Sequence, residues 1–252
     1  MQENYKELLK NLQDLKNNYF ATGLKLELET EIISTQEIDL AKNLAIESGL
    51  ELTLKTSGCS AVSDIFLTEA FDIKNILTPM IESSYALEKF YNNVKNICTT
   101  QKHLSFNIET ITAIKNIDEI FSYKNIDKFS SVVFGRNDFC HSLNKSSNYC
   151  DNEEIFENIK IILKKIENTN LNLTIGGNIT KNSIVFLNNI NNKKFKKVET
   201  RKIIFDKKIL EKDFENALKK ALDFEILWLE SKSFKNPLDI ERTKELKKRI
   251  LK

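Results

Sequence analysis

The sequence is poor in proline, histidine and cysteine, and it lacks long apolar runs. It contains two prolines and two histidines among 252 residues, and none of its four cysteines belongs to a C-x-x-C pair. This cysteine spacing argues against a zinc site. No apolar run reaches the roughly 20 residues that span a bilayer, and Met1–Tyr19 has the pattern of a charged amphipathic helix, not of a secretory signal. We therefore expect reduced thiols and a cytoplasmic protein without a membrane partner.

Neither positive nor negative charge dominates the chain. Its 38 basic and 36 acidic residues give a net charge of +2, and both kinds are spread along the sequence. Nucleic acids and anionic membranes bind concentrated positive charge. The composition therefore predicts neither of these partners.

The order of apolar segments favours a parallel α/β fold. Short apolar runs alternate with longer amphipathic stretches, which is typical of successive βα units. The length and the 41% content of hydrophobic residues suit one (β/α)₈ barrel. The predicted strands are Leu24–Glu29, Leu50–Lys55, Asn75–Ile81, Leu104–Glu109, Ser131–Phe134, Leu171–Ile175 and Lys197–Phe205.

These seven strands are one fewer than a closed barrel requires. The missing strand should precede Leu24, where only the short stretch Phe20–Thr22 lacks a helical pattern. We expect either a barrel with a poor first strand or an incomplete barrel, and an open doubly wound sheet is the alternative. Because no linker divides the chain, we predict one barrel domain over residues 1–210. The helical tail over residues 211–252 then belongs to the same domain or contacts another subunit.

Charged side chains follow nearly every predicted strand. The carboxyl ends of parallel strands meet on one face, where ligands bind in such folds. A ring of carboxylates with a few cations suits a hard divalent ion and an anionic ligand. For any one residue, a solvated loop charge is the alternative. The set comprises Glu29, Glu31, Lys55, Glu82, Glu109, Arg136, Asp138, Glu199 and Arg201.

Three segments resemble the HpcH/HpaI aldolase and citrate lyase beta-subunit family. Asn107–Ile120 reads NIETITAIKNIDEI and is similar to the family's V-E-[ST]-x-x-A-hydrophobic-x-N-hydrophobic-D-E-I segment. Val133–Leu143 reads VFGRNDFCHSL and resembles the I-G-P-x-D-L-S-x-S-L segment, and Ile76–Glu82 resembles the L-V-P-M-V strand. The order and spacing agree from about Leu24 to Phe205. The resemblance implies a TIM-type (β/α) barrel.

The resemblance also implies a metal site. The matching positions make Glu109 and Asp138 the carboxylate ligands of Mg²⁺ or Mn²⁺. Lys55 aligns with the arginine that binds the substrate carboxylate in this family, and Arg136 is a second candidate for that role. Lysine offers a point charge where arginine offers a planar fork. A surface position without a role is the alternative for Lys55.

The acid/base residue is the largest departure from the family pattern. Family aldolases carry an acidic residue and a histidine after the first strand, whereas this chain reads Leu28-Glu29-Thr30-Glu31-Ile32 there. Glu29, Glu31 and His141 are the candidates for this role. For His141, a loop position without a role is the alternative.

The resemblance implies a divalent-metal-dependent carbon–carbon lyase or aldolase. It would act on a 2-keto acid or an acyl thioester such as an acyl-CoA, through a metal-stabilised enolate. Two alternatives remain, and the missing histidine and the lysine at position 55 motivate the first of them. One is a catalytically silent barrel that binds a keto acid or acyl-CoA as a regulatory or scaffold subunit, and the other is a metal-assisted thioester hydrolase. A homo-oligomer is expected because a second subunit would bury the apolar helix face around Trp228.

Overall fold

The computed structural model describes residues 2–250 and contains a closed barrel of eight strands surrounded by helices. Strands β1 to β7 are parallel and follow one another around the barrel, and β8 is antiparallel to both β7 and β1. The predicted TIM-type barrel is confirmed. The strands are β1 (Ala21–Glu27), β2 (Glu51–Lys55), β3 (Asn75–Thr78), β4 (His103–Ile108), β5 (Phe129–Gly135), β6 (Asn172–Gly176), β7 (Phe195–Glu199) and β8 (Ile203–Asp206).

Helices precede, connect and follow the strands. One helix lies before β1, the next eight lie in the connections between β1 and β7, and two follow β8. No helix within residues 2–250 combines the length and apolar character needed to cross a bilayer. The helices are α1 (Gln2–Tyr19), α2 (Thr35–Ser48), α3 (Val62–Ala70), α4 (Ser84–Ile97), α5 (Ile111–Lys115), α6 (Ile117–Phe121), α7 (Arg136–Ser142), α8 (Glu153–Ile166), α9 (Ser183–Asn188), α10 (Phe214–Ser231) and α11 (Pro237–Ile250).

The strand that closes the barrel is not the one predicted from the sequence. The predicted last strand, Lys197–Phe205, is two strands joined by a tight turn. In that turn the Thr200 backbone N–H donates to the Ile203 carbonyl (2.9 Å), and the Ile203 N–H donates to Thr200 Oγ1 (3.0 Å). β8 then pairs with β1, so the expectation of a missing strand before Leu24 was wrong. Neither glycine nor proline marks the turn in the sequence.

The apolar core lies between the strands and the helices, whereas the barrel interior is polar. Side chains alternate between the two sides of a strand. In β1, Leu24 and Leu26 are fully buried in the apolar core, while Lys25 between them bonds to Glu199 of β7. Because β8 separates β1 from β7, this bond passes through the barrel interior. The interior therefore carries charge up to the carboxyl ends of the parallel strands.

The C-terminal helices pack on the barrel of the same chain. Trp228 is buried, and the Lys202 ammonium lies 5.4 Å from its ring centroid. Lys232 donates to the carbonyl of Ile32 (3.0 Å) and pairs with Asp239 (3.0 Å). These contacts hold the segment that follows β1. The apolar face around Trp228 is covered within the chain and gives no argument for a second subunit.

Gly177 allows the ends of β5 and β6 to meet. Its backbone has a φ of +80°, and a Cβ at this position would lie 2.4 Å from the backbone N of Asn137 and 2.7 Å from that of Arg136. Side-chain-bearing residues avoid this region of φ, and backbone atoms cannot move aside as a flexible side chain can.

Replacing Gly177 with alanine should lower the free energy of unfolding by at least about 2 kcal/mol, because strain at positive φ adds to the backbone clash. Urea unfolding measures this change. Gly58→Ala is the control, since a Cβ there would meet no atom within 4 Å. Equal unfolding midpoints for the two variants would contradict the close approach described above.

Candidate active site

Glu109 follows β4 and is held in one orientation by its neighbours. Its side chain is 1% exposed. Oε1 accepts a hydrogen bond from the Met80 backbone N–H (2.9 Å), and Oε2 accepts one from Asn107 Nδ2 (2.6 Å). Lys55 Nζ lies 3.8 Å from Oε2. The carboxylate is therefore fixed from the backbone of one strand end and the side chains of two others.

The last residue of β5 makes room for this carboxylate. A Cβ at Gly135 would lie 2.5 Å from Glu109 Oε2 and 3.0 Å from Glu109 Cβ. Only a residue without a side chain allows the two strand ends to approach so closely. In the sequence this glycine indicated no more than the end of a strand.

Asp138 lies in the first turn of α7 and is exposed, and its charge acts on Glu109. Burial raises the pKa of Glu109 to about 7, and the negative charge of Asp138 contributes to the rise, although Lys55 opposes it. This raised pKa means that the surrounding protein groups compensate the negative charge of Glu109 poorly. A positive charge placed between Glu109 and Asp138 would stabilise both.

Lys55 ends β2 and links Glu109 to Glu29. Its ammonium lies 2.5 Å from Glu29 Oε2 and 3.8 Å from Glu109 Oε2. Burial alone would lower the pKa of Lys55, but Glu109, Glu27 and Glu29 raise it above its usual value. The ammonium therefore stays charged near neutral pH.

Lys25, Glu27 and Glu199 form a buried ionic triad deeper in the barrel. Lys25 Nζ lies 2.6 Å from Glu199 Oε1 and 2.9 Å from Glu27 Oε1. Burial alone would raise the pKa of Glu27, but Lys25, Lys55 and Arg201 lower it to about 2. Lys25 was not among the predicted site residues. The alternation in Leu24–Glu29, with leucines on one side and charges on the other, was the signal that could have revealed it.

Glu31 and His141 make no hydrogen bond or ion pair with Lys55 or Glu109 in the described structure. Glu31 Oε2 pairs with Lys202 Nζ at 2.5 Å, and the Glu31 side chain is 8% exposed. His141 is on the exposed side of α7, with Nε2 3.5 Å from Ser147 Oγ. Of the three predicted acid/base residues, Glu29 is the one that contacts Lys55.

The sequence predicted that Arg136 binds the substrate, but its side chain lies where a substrate cannot reach it. The side chain is fully buried, and its guanidinium pairs with Asp151. It also donates to backbone carbonyls of the neighbouring loops, those of Cys150, Gly176, Gly177 and Asn178. Arg136 therefore holds these loops together and is corrected from a ligand-binding residue to a structural one.

The ion-paired side chains at the carboxyl ends of the parallel strands, together with Asp138, form what we call the mouth cluster. Four cations stand against six carboxylates, an excess of two negative charges that one divalent ion would neutralise. The cations are Lys25, Lys55, Arg201 and Lys202, and the carboxylates are Glu27, Glu29, Glu31, Glu109, Asp138 and Glu199.

The residues of the mouth cluster fit a divalent ion of the magnesium type. No group of three or more His, Cys, Asp or Glu side chains within residues 2–250 is arranged to hold a metal. Mg²⁺ commonly binds one or two carboxylates and keeps water or substrate oxygens at its other positions. Glu109 and Asp138, the ligands predicted from the sequence, would supply two carboxylates. Beside them, Asn107 Oδ1 is buried without a hydrogen-bond partner among the described residues, so an oxygen acceptor remains for a bound water.

Residues 58–174 match the family model described as HpcH/HpaI aldolase/citrate lyase. The resemblance to this family that the sequence motifs indicated is confirmed over these residues. The matched segment contains Glu109 and Asp138 but not Glu29, Lys55 or Arg201. The departures from the family pattern at the first strand therefore lie outside the match.

Solved structures of HpcH/HpaI proteins share the fold at low sequence identity. An HpcH/HpaI aldolase from Desulfitobacterium hafniense DCB-2 is 10% identical, with a TM-score of 0.58 over 73% of this chain and 77% of that protein. An HpcH/HpaI aldolase/citrate lyase family protein from Burkholderia cenocepacia J2315 is 8% identical, with a TM-score of 0.61 over 76% and 83% of the two chains. The citrate synthase SbnG is 11% identical, with a TM-score of 0.59 over 77% and 81%. No protein of curated function matches the sequence.

Glu109→Gln should make the metal-free protein more stable at pH 8. The unfolded chain releases this proton near the ordinary pKa of 4.5, whereas the folded protein keeps it until about 7, so stability falls as pH rises between these values. The neutral glutamine avoids this loss, which amounts to roughly 3 kcal/mol.

Urea unfolding at pH 5 and pH 8 in the presence of a chelator measures the difference. Glu215→Gln makes the same chemical change on the exposed surface of α10 and should alter neither value. A glutamine variant of Glu109 that is less stable than the parent at pH 8 would contradict the assignment of an uncompensated carboxylate.

Proposed function

We propose that this protein is a divalent-metal-dependent lyase that makes or breaks a carbon–carbon bond beside the carbonyl of a 2-keto acid or acyl thioester. The observation that carries the proposal is the Glu109–Asp138 pair at the mouth of an HpcH/HpaI-type barrel, with Lys55 Nζ 3.8 Å from Glu109. The two carboxylates would bind a divalent ion, and the Lys55 ammonium would pair with a negative group of the substrate.

Glu109 and Asp138 would hold Mg²⁺ or Mn²⁺. The bound ion supplies Lewis acidity that polarises the substrate carbonyl and favours loss of a proton or carbon group from the adjacent carbon. Asn107 and the Met80 N–H orient Glu109 for this role, since each donates to a different oxygen. Such support is typical of metal ligands that must keep their geometry.

Lys55 would bind the negative charge of the substrate. It is buried, so its electric field is weakly screened by water. Because Lys55 contacts both Glu29 and Glu109, a substrate carboxylate or enolate oxygen bound to Lys55 would lie next to both. An ammonium fixed in advance stabilises developing charge without reorganisation during the reaction.

Glu29 would transfer the proton. Its Oε2 is bonded to Lys55, and its side chain is 23% exposed, so Oε1 remains available to a ligand in the mouth. In the bond-forming direction Oε1 accepts a proton from the carbon beside the carbonyl, and in the cleavage direction it returns that proton. Glu31 is held by Lys202 and lacks this freedom.

Proton exchange in a keto acid tests the proposal. In D₂O with Mg²⁺ or Mn²⁺, the protein should catalyse exchange of the methyl protons of pyruvate, followed by NMR. Glu29→Gln and Glu109→Gln should each lower the rate by at least about 100-fold, the usual size of a general-base or metal contribution. His141→Gln is the control and should stay within about twofold of the parent.

Other outcomes identify the alternative functions. If the metal and pyruvate bind but no exchange occurs, the barrel is a binding or scaffold subunit. If free thiol is released from an acyl-CoA without carbon–carbon chemistry, the protein is a thioester hydrolase. Either result overturns the lyase proposal.

A further inference from the structure

The reversed direction of β8 brings two cations to the mouth of the barrel. In an all-parallel barrel the chain would leave the end of β7, pass through a helix and enter the next strand from the opposite face. Here β7 and β8 form a hairpin, and its turn lies on the same face as the carboxyl ends of β1 to β7. This turn contains Arg201 and Lys202.

The two cations have different surroundings. Lys202 is 1% exposed and is engaged by Glu31 and by the ring of Trp228. The Arg201 side chain is 26% exposed, and its guanidinium donates through Nη2 to Thr30 Oγ1 at 2.7 Å. Its Nε has no hydrogen-bond partner among the described residues. The nearest carboxylate oxygens, Glu31 Oε1 and Glu27 Oε2, lie 3.3 and 3.6 Å from it.

The Nε atom is buried, so the donors that Arg201 keeps for a ligand are on its terminal nitrogens: a guanidinium carries five donors, and the hydrogen bond to Thr30 uses one of them, on Nη2. Two other cations near the mouth are more fully engaged in the described structure, since Lys25 is bonded to Glu27 and Glu199, and Lys202 to Glu31. Lys55 is already assigned to the keto acid end of the ligand by the proposed function. A planar guanidinium at a partly exposed rim is suited to bind a carboxylate through two hydrogen bonds.

Arg201 also stands across the mouth from the candidate metal site. Glu109 follows β4 and Asp138 follows β5, whereas the Arg201 turn lies between β7 and β8, about three strands further around the closed barrel. A ligand whose keto acid group lies at Glu109 and Asp138 would extend its far end towards Arg201.

We infer that Arg201 binds a second carboxylate of the ligand, at the end remote from Glu109 and Asp138, and so selects dicarboxylic over monocarboxylic keto acids. This inference rests on the proposed function for the position of the keto acid group. It assigns the choice of substrate to the β7–β8 hairpin, which lies outside the matched family segment.

Matched ligands test the inference by calorimetric titration in the presence of Mg²⁺. 2-Oxoglutarate and 2-oxopentanoate have the same carbon chain and differ at the terminal carboxylate. The parent protein should bind the dicarboxylate at least about tenfold more tightly, the effect of a charge-assisted hydrogen-bond pair. Arg201→Gln should remove this preference and leave the affinity for 2-oxopentanoate within about twofold. Arg201→Lys should keep part of the preference.

Two controls separate this inference from the proposed function. Arg242→Gln removes another partly exposed arginine that pairs with carboxylates, in this case on α11, and should leave all affinities unchanged. Mg²⁺ titration should give the same affinity for Arg201→Gln and the parent, and no binding for Glu109→Gln. Unfolding midpoints show whether each variant is folded.

The possible failures are distinguishable. If both keto acids bind the parent equally, or Arg201→Gln keeps the preference, the assignment of Arg201 is wrong and the lyase proposal still stands. If neither keto acid binds with Mg²⁺, the proposed function fails and this inference fails with it.

Discussion

The structure depends on the pairing of buried charges inside the barrel. Moving an isolated charge out of water is costly, so each buried cation needs a carboxylate and each carboxylate a cation. Lys25 meets this requirement with two partners, and Glu31 meets it with Lys202. The pairing is incomplete at Glu109, whose pKa is raised to about 7. That local imbalance is what distinguishes the candidate active site from the remaining ionic network, since functional sites commonly retain unfavourable electrostatics that a ligand relieves.

The fold explains why the imbalance lies at the mouth. Seven parallel strands direct their carboxyl ends to one face, and small residues such as Gly135 let neighbouring ends approach closely. The antiparallel β8 adds a hairpin to the same face and so supplies Arg201 and Lys202. The C-terminal helices complete this arrangement from outside, because Trp228 packs against Lys202 and Lys232 holds the segment after β1. Under the proposed function, binding, catalysis and selectivity would fall to different strand ends of one barrel.

Much of the fold and part of the site were predictable from the sequence. Alternating apolar runs indicated seven strands near their observed places, and the motifs around Glu109 and Asp138 singled out two carboxylates that follow neighbouring strands, β4 and β5. The β7–β8 turn was not predictable, because a threonine side chain and a single backbone bond form it without glycine or proline. The burial of Arg136 was also hidden, since its partner Asp151 and its carbonyl partners come from loops whose meeting depends on tertiary structure.

The most direct test of the account is a calorimetric titration of Mn²⁺ into the chelator-treated protein at pH 8, where Glu109 is ionised. One equivalent should bind. Few protons should be released on binding, so the measured heat should depend little on the ionisation enthalpy of the buffer. Asp138→Ala and Glu109→Ala should each abolish binding while remaining folded. If no ion binds the parent protein, or if both variants bind Mn²⁺ as tightly as the parent, the mouth cluster is not a metal site and the central claim is contradicted.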